Sequence, residues 1–160
     1  MKSTLPLAVI IFCVASSVVN ASELVASNMV GRWQCSAKNN DMRFDWIVKN
    51  GAPQGWLTGE VFFDDERAAF EGWAYDENGR LADRRQFGRD GRFVHMQVVQ
   101  RAGSTLISEG SAYERDGSQR QLRHKVTMTE AGRLDVIWEV KRDEEYSVVT
   151  DEICVLGNTE

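Results

Sequence analysis

LRHKVTMTEAGRLDVIWEVK, residues 122–141, is two runs of alternating chemistry around one turn. In the first run Leu122, His124, Val126 and Met128 share one side, against Arg123, Lys125 and Thr127 on the other. In the second, Leu134, Val136, Trp138 and Val140 oppose Asp135, Glu139 and Lys141. Successive side chains of a strand point to opposite faces, so each run has one dry face and one wet face. That is the pattern of an antiparallel sheet with a single buried side. Between the runs, Glu130-Ala131-Gly132 supplies a residue that tolerates the positive φ of a tight turn.

The same grammar extends in both directions. MRFDWIVK, residues 42–49, sets Met42, Phe44, Trp46 and Val48 against Arg43, Asp45 and Lys49. Across the chain, alternating segments are cut by KNND, NGAPQG, DDE, DENGR, RDG, RAG, RDGS, EAG and RDE. Nearly all of these contain Gly, Asn or Asp, and Asn78-Gly79 is the strongest single hairpin signal. Nine separators predict ten strands. Pro occurs only at Pro6 and Pro53, so no predicted strand is interrupted by one. No window shows helical periodicity with caps.

Ten hairpin-linked strands form a long meander with two exposed edges, which invite aggregation. Closing the meander into an up-and-down barrel removes both edges. The sequence therefore predicts an all-β, antiparallel up-and-down barrel over residues 30–156. A two-sheet sandwich explains the alternation equally well, but it does not require the terminal strands to meet.

The N-terminus sets the compartment. Lys2 is followed by the apolar run LPLAVIIFCVASSVV and then by Val19-Asn20-Ala21, the three parts of a secretory signal peptide. The run is shorter than the ~20 apolar residues that a membrane span needs. Residues 1–21 are read as a cleaved signal, 22–29 as a loosely ordered lead-in and 157–160 as a tail. The expectation is a soluble periplasmic or secreted protein with no membrane span in its mature form.

Cleavage discards Cys13 and leaves Cys35 and Cys154, one at each end of the domain. In an oxidising compartment they can form a single intramolecular bridge. Two buried free thiols are the alternative. With an even strand count, the first and last strands of a barrel are antiparallel neighbours, so a Cys35–Cys154 bridge would staple the seam.

Gly31-Arg32-Trp33 on the first predicted strand resembles the Gly-x-Trp opening of the calycins, the lipocalin and fatty-acid-binding-like barrels. The run FEGWAYDENGRLADRRQFGRDGRF, residues 70–93, is similar to the middle hairpins of small bacterial lipocalin-like domains. The resemblance covers residues 30–156 as a strand pattern. It departs from lipocalins in lacking an arginine on the last strand, YSVVTDEICVL, and in having ten strands rather than eight. The count is nearer to the fatty-acid-binding and nitrobindin-like barrels. Haem-binding barrels of the latter kind use a late histidine. Neither His95 nor His124 is so placed, so no haem or other cofactor is expected.

Such a barrel would hold a ligand in its lumen. Five tryptophans, Trp33, Trp46, Trp56, Trp73 and Trp138, can fill a core or line a cavity. Trp46 and Trp138 are the lumen candidates, because their strands have the clearest dry faces. His124 joins them, lying between Leu122 and Val126 on a dry face, and Glu152 has the strand parity to reach it. The facing of His95 is ambiguous. Two histidines without carboxylate or cysteine spacing make no metal site. The chain lacks a nucleophile elbow, a zinc-protease motif and a phosphate-binding glycine loop. Its mildly acidic charge, −5, is mixed along the chain, which argues against nucleic acid as a partner.

The expected function is therefore binding of a small apolar or amphiphilic ligand, without catalysis. One alternative is a protein-interaction module, such as an inhibitor of a secreted enzyme like lysozyme, acting through charged loops. Another is an isomerase or cyclase using His124 and Glu152 as an acid–base pair.

Overall fold

The computed structural model describes residues 23–52 and 54–157. The signal reading of residues 1–21, the turn position of Pro53 and most of the tail, 158–160, lie outside the described residues. Ten strands follow a short helix α1, Ala26–Met29. They are β1 Gly31–Ala37, β2 Arg43–Asn50, β3 Trp56–Phe63, β4 Glu66–Tyr75 and β5 Leu81–Gly88. The second half holds β6 Phe93–Ala102, β7 Thr105–Tyr113, β8 Gln119–Glu130, β9 Arg133–Arg142 and β10 Glu145–Leu156. Each strand pairs antiparallel with the next, and β1 pairs with β10, closing the barrel. Each turn signal read from the sequence marks a junction between two consecutive strands, some of its residues still belonging to the strand ends. No helix among the described residues is long and apolar enough to cross a membrane.

The turns work by backbone chemistry. Asp64 and Asp65 both adopt positive φ, 48° and 64°, which suits the right-handed twist of the strands they join. In the Asn78-Gly79 turn, Gly79 takes φ 75°, and the Asp76 carboxylate accepts the backbone N–H groups of Asn78 and Arg80.

At the seam Cys35 lies directly opposite Cys154, and the two are joined by a disulfide across a sequence separation of 119. In the chain-entropy account, a loop of that length restricts the unfolded chain by about 4–5 kcal/mol.

The two ends of the barrel differ. One end carries the β2–β3, β4–β5, β6–β7 and β8–β9 turns, and α1 is tied there. The Trp33 indole N–H donates to the Met29 carbonyl at 2.8 Å, and the Ala26 N–H donates to the Gly79 carbonyl at 2.8 Å. Leu24, Ala26 and Met29 are buried against Trp33, Leu57, Trp73, Leu81 and Leu134. These residues fall within the lead-in read over 22–29. Spaced small and apolar residues gave too short a pattern to read as a helix, yet they have a greasy barrel end to cover.

Candidate functional site

The other end remains open. A cavity of about 420 Å³ runs from this end, where Met42, Phe63, Asp90 and Glu114 border it, to His124 and Trp138 at mid-barrel. That lies within the ~300–1,000 Å³ of small-molecule sites. Residue size is the cause. Beside Phe44, Phe63 and Leu122, the wall near the mouth carries Ala68, Ala69, Gly88, Val94 and Ala112, where the closed end is packed with tryptophan and leucine.

Trp46, His124 and Trp138 all border this cavity. His124 and Trp138 are direct cross-strand partners on β8 and β9, with ring centroids 4.1 Å apart. Trp46 reaches the same region from β2 and is 6% exposed. Trp138 is only half-buried, because one side of its ring faces empty space rather than protein.

Beneath them is a polar cluster that centres on Glu71 and Arg84. Glu71, from β4, is fully buried. It accepts the indole N–H of Trp46, and that of Trp73 at 3.1 Å. Arg84, from β5, donates to Glu71 Oε2 through Nε at 3.0 Å and Nη2 at 2.5 Å. Its guanidinium lies 4.8 Å from the Trp73 ring centroid and 4.6 Å from that of Trp138, so cation–π attraction adds to the ion pair. Room for the Glu71 side chain comes from Gly59 on the neighbouring strand. A Cβ there would sit 2.6 Å from Glu71 Cγ.

His124 faces Arg84 rather than Glu152: Arg84 Nη1 is 3.2 Å from its Nδ1 and 3.3 Å from its Nε2. Burial, with the Arg84 charge beside it, holds the imidazole well below its usual 6.5, so His124 is neutral in the fold. Its strand partner Ser108 is 1% exposed, with an unpaired hydroxyl.

Glu152, from β10, is 5% exposed and borders the cavity separately. Burial raises its pKa above the usual 4.5, while the Thr150 hydroxyl and the Arg84 charge offset part of that rise. At the mouth, Arg92 pairs with Asp90 at 2.5 Å, and Arg120 pairs with Glu114. His95 lies on the outer wall, 2.7 Å from Asp83.

Sequence reading missed Glu71 and Arg84. Glu71 was accessible, since it shares parity with Trp73 and Ala69. Arg84 was hidden by an irregularity: the β4–β5 register shifts between Ala74 and Tyr75, so Leu81 and Arg84 both point inward although three residues apart. Strict alternation from Leu81 would have placed Arg84 in solvent.

Among the described residues no group of three or more His, Cys, Asp or Glu is arranged to hold a metal ion. No protein-family model matches the sequence, and no curated protein matches it.

Proposed function

We propose that this chain is an exported, lipocalin-like barrel that binds one small apolar or amphiphilic molecule in its lumen. The observation that carries this reading is the mouth-to-centre cavity, walled by apolar and aromatic side chains and floored by a few fixed polar groups. That combination is what small-molecule sites use: area for affinity and convergent polar atoms for orientation. The seam disulfide and the signal-like N-terminus support export.

Binding without chemistry is the simpler use of this floor. Arg84 is held by Glu71, and the His124 nitrogens face Arg84, so the imidazole offers no free base to a substrate. For the interaction-module alternative, some loop charges are already held in local pairs, such as Arg89–Glu66 and Lys141–Glu144. One outer-wall feature favours it: Phe70, Phe87, Phe93 and Tyr113 align in register across β4 to β7, with Phe87 52% exposed.

Titration of the mature chain with the neutral probe N-phenylnaphthylamine tests the ligand reading. One saturable site, with quenching of tryptophan emission, is expected. Val126→Trp, which projects an indole into the lumen, should weaken it, and Phe87→Ser on the outer wall should not. Loss of binding on Phe87→Ser, with Val126→Trp unaffected, would move the site to the outer wall.

A further inference from the structure

The cavity holds one buried acidic group that the Thr150 hydroxyl and the Arg84 charge ease only in part. Glu71 is matched by Arg84 in a buried ion pair. Glu152, 5% exposed, borders the open space and forms no ion pair with a basic side chain among the described residues. Its surroundings explain why. Its strand neighbours are Ala37 on β1 and Val136 on β9, neither of which carries charge. Across the lumen, Arg84 on β5 is committed to Glu71, and His124 on β8 is neutral. The adjacent Asp151, itself paired with Lys38 at 2.7 Å, adds a weak like-charge effect. A buried carboxyl in this position is retained at a cost in stability unless a partner arrives.

We infer that the lumen selects a ligand whose apolar or aromatic body ends in one cationic amine, and that Glu152 is the residue that recognises the amine. The inference rests on the lumen-binding reading above. The body lies along Trp46 and Trp138, whose ring faces also attract a cation. The ammonium enters charged, and a protonated Glu152 releases its proton to solvent and becomes the carboxylate partner. The Glu71–Arg84 pair, neutral as a unit, repels the amine far less than a lone guanidinium would. An anionic head group meets the opposite case, since it would have to share the floor with Glu152.

The test uses three ligands with one body: naphthylmethylamine, naphthalenemethanol and naphthoic acid. Each is measured by calorimetry on the full mature chain and by displacement of N-phenylnaphthylamine, at neutral pH. The amine should bind at least about tenfold more tightly than the alcohol, a difference of about 1.4 kcal/mol. Its affinity should fall as pH drops below the Glu152 pKa, where binding must first remove a proton. Glu152→Gln should erase the preference, bringing the amine's affinity to that of the alcohol. Equal or tighter binding of the alcohol or the acid, or a preference that survives Glu152→Gln, overturns the inference. In that case, bound probe leaves the lumen reading standing. Failure of the probe and of all three naphthyl compounds overturns both.

Discussion

The two halves of the barrel are written in the same alternating pattern and end differently. In the closed half Trp33, Leu57, Trp73, Leu81 and Leu134 are at most 1% exposed, and α1 seals them. In the open half the wall includes Ala68, Ala69, Gly88 and Ala112, no helix among the described residues covers the end, and a cavity remains. Alternation decides which way a side chain points. Whether the inside is filled depends on side-chain volume and on whether a segment plugs the end. The polar cluster of Glu71, Arg84 and His124 lies where filled core gives way to cavity, and it forms the floor of one and the ceiling of the other.

Breaking that floor should have the largest effect. Glu71→Ala leaves Arg84 buried without its partner, and loss of one member of a buried pair costs about 3–5 kcal/mol. Chemical denaturation should show this loss. A change under about 1 kcal/mol would mean that water reaches the guanidinium.

Truncating one tryptophan in each half sharpens the contrast. Trp73→Ala in the closed half should cost about 3–5 kcal/mol, as for a fully packed aromatic. Trp138→Ala should cost clearly less, about 1–2 kcal/mol, because part of its ring already faces open space. Equal losses would mean that the open half is packed like the closed one. Opening the seam with Cys35→Ala and Cys154→Ala together should cost about 2–4 kcal/mol in the same assay.

Acidity separates two buried groups on the cavity wall. His124 is kept neutral, so its contribution is present above its usual 6.5 and is lost as pH falls below that value. His124→Gln should therefore flatten the acid side of the stability profile. Glu152 is shifted the other way. It destabilises the fold as pH rises from its usual 4.5 through its raised value, and below 4.5 the penalty disappears. Glu152→Gln should raise the melting temperature by a few degrees at neutral pH and leave it unchanged at low pH. A gain of the same size at low pH would show that packing, not charge, is responsible.

Much of this architecture was legible in the residues. Gly, Asn and Asp in the separators marked the turns, parity marked the inner faces, and Cys35 with Cys154 marked the closure. Parity also placed Trp46, His124 and Trp138 on inner walls. What alternation could not show follows from three-dimensional accounting. Ala82 sits in a register shift that turns Arg84 inward, so the partner of Glu71 was invisible to a period of two. His124 was read as a candidate partner of Glu152 by parity alone, but the inward Arg84 reaches it instead. Leu24, Ala26 and Met29 gave no amphipathic repeat, because α1 spans only 4 residues. Its burial is set by the barrel end it covers rather than by its own periodicity.

The central claim is that the open half contains space that protein does not fill. Ala112 is an inward residue on the cavity wall, so Ala112→Phe places a ring where the account has none. Thermal melting and N-phenylnaphthylamine titration of this variant, beside wild type, read that space directly. The account predicts a melting temperature equal to or above wild type together with loss of probe binding. A drop in stability equivalent to about 1–3 kcal/mol, the usual penalty for overpacking a filled core, with probe binding unchanged, would contradict it.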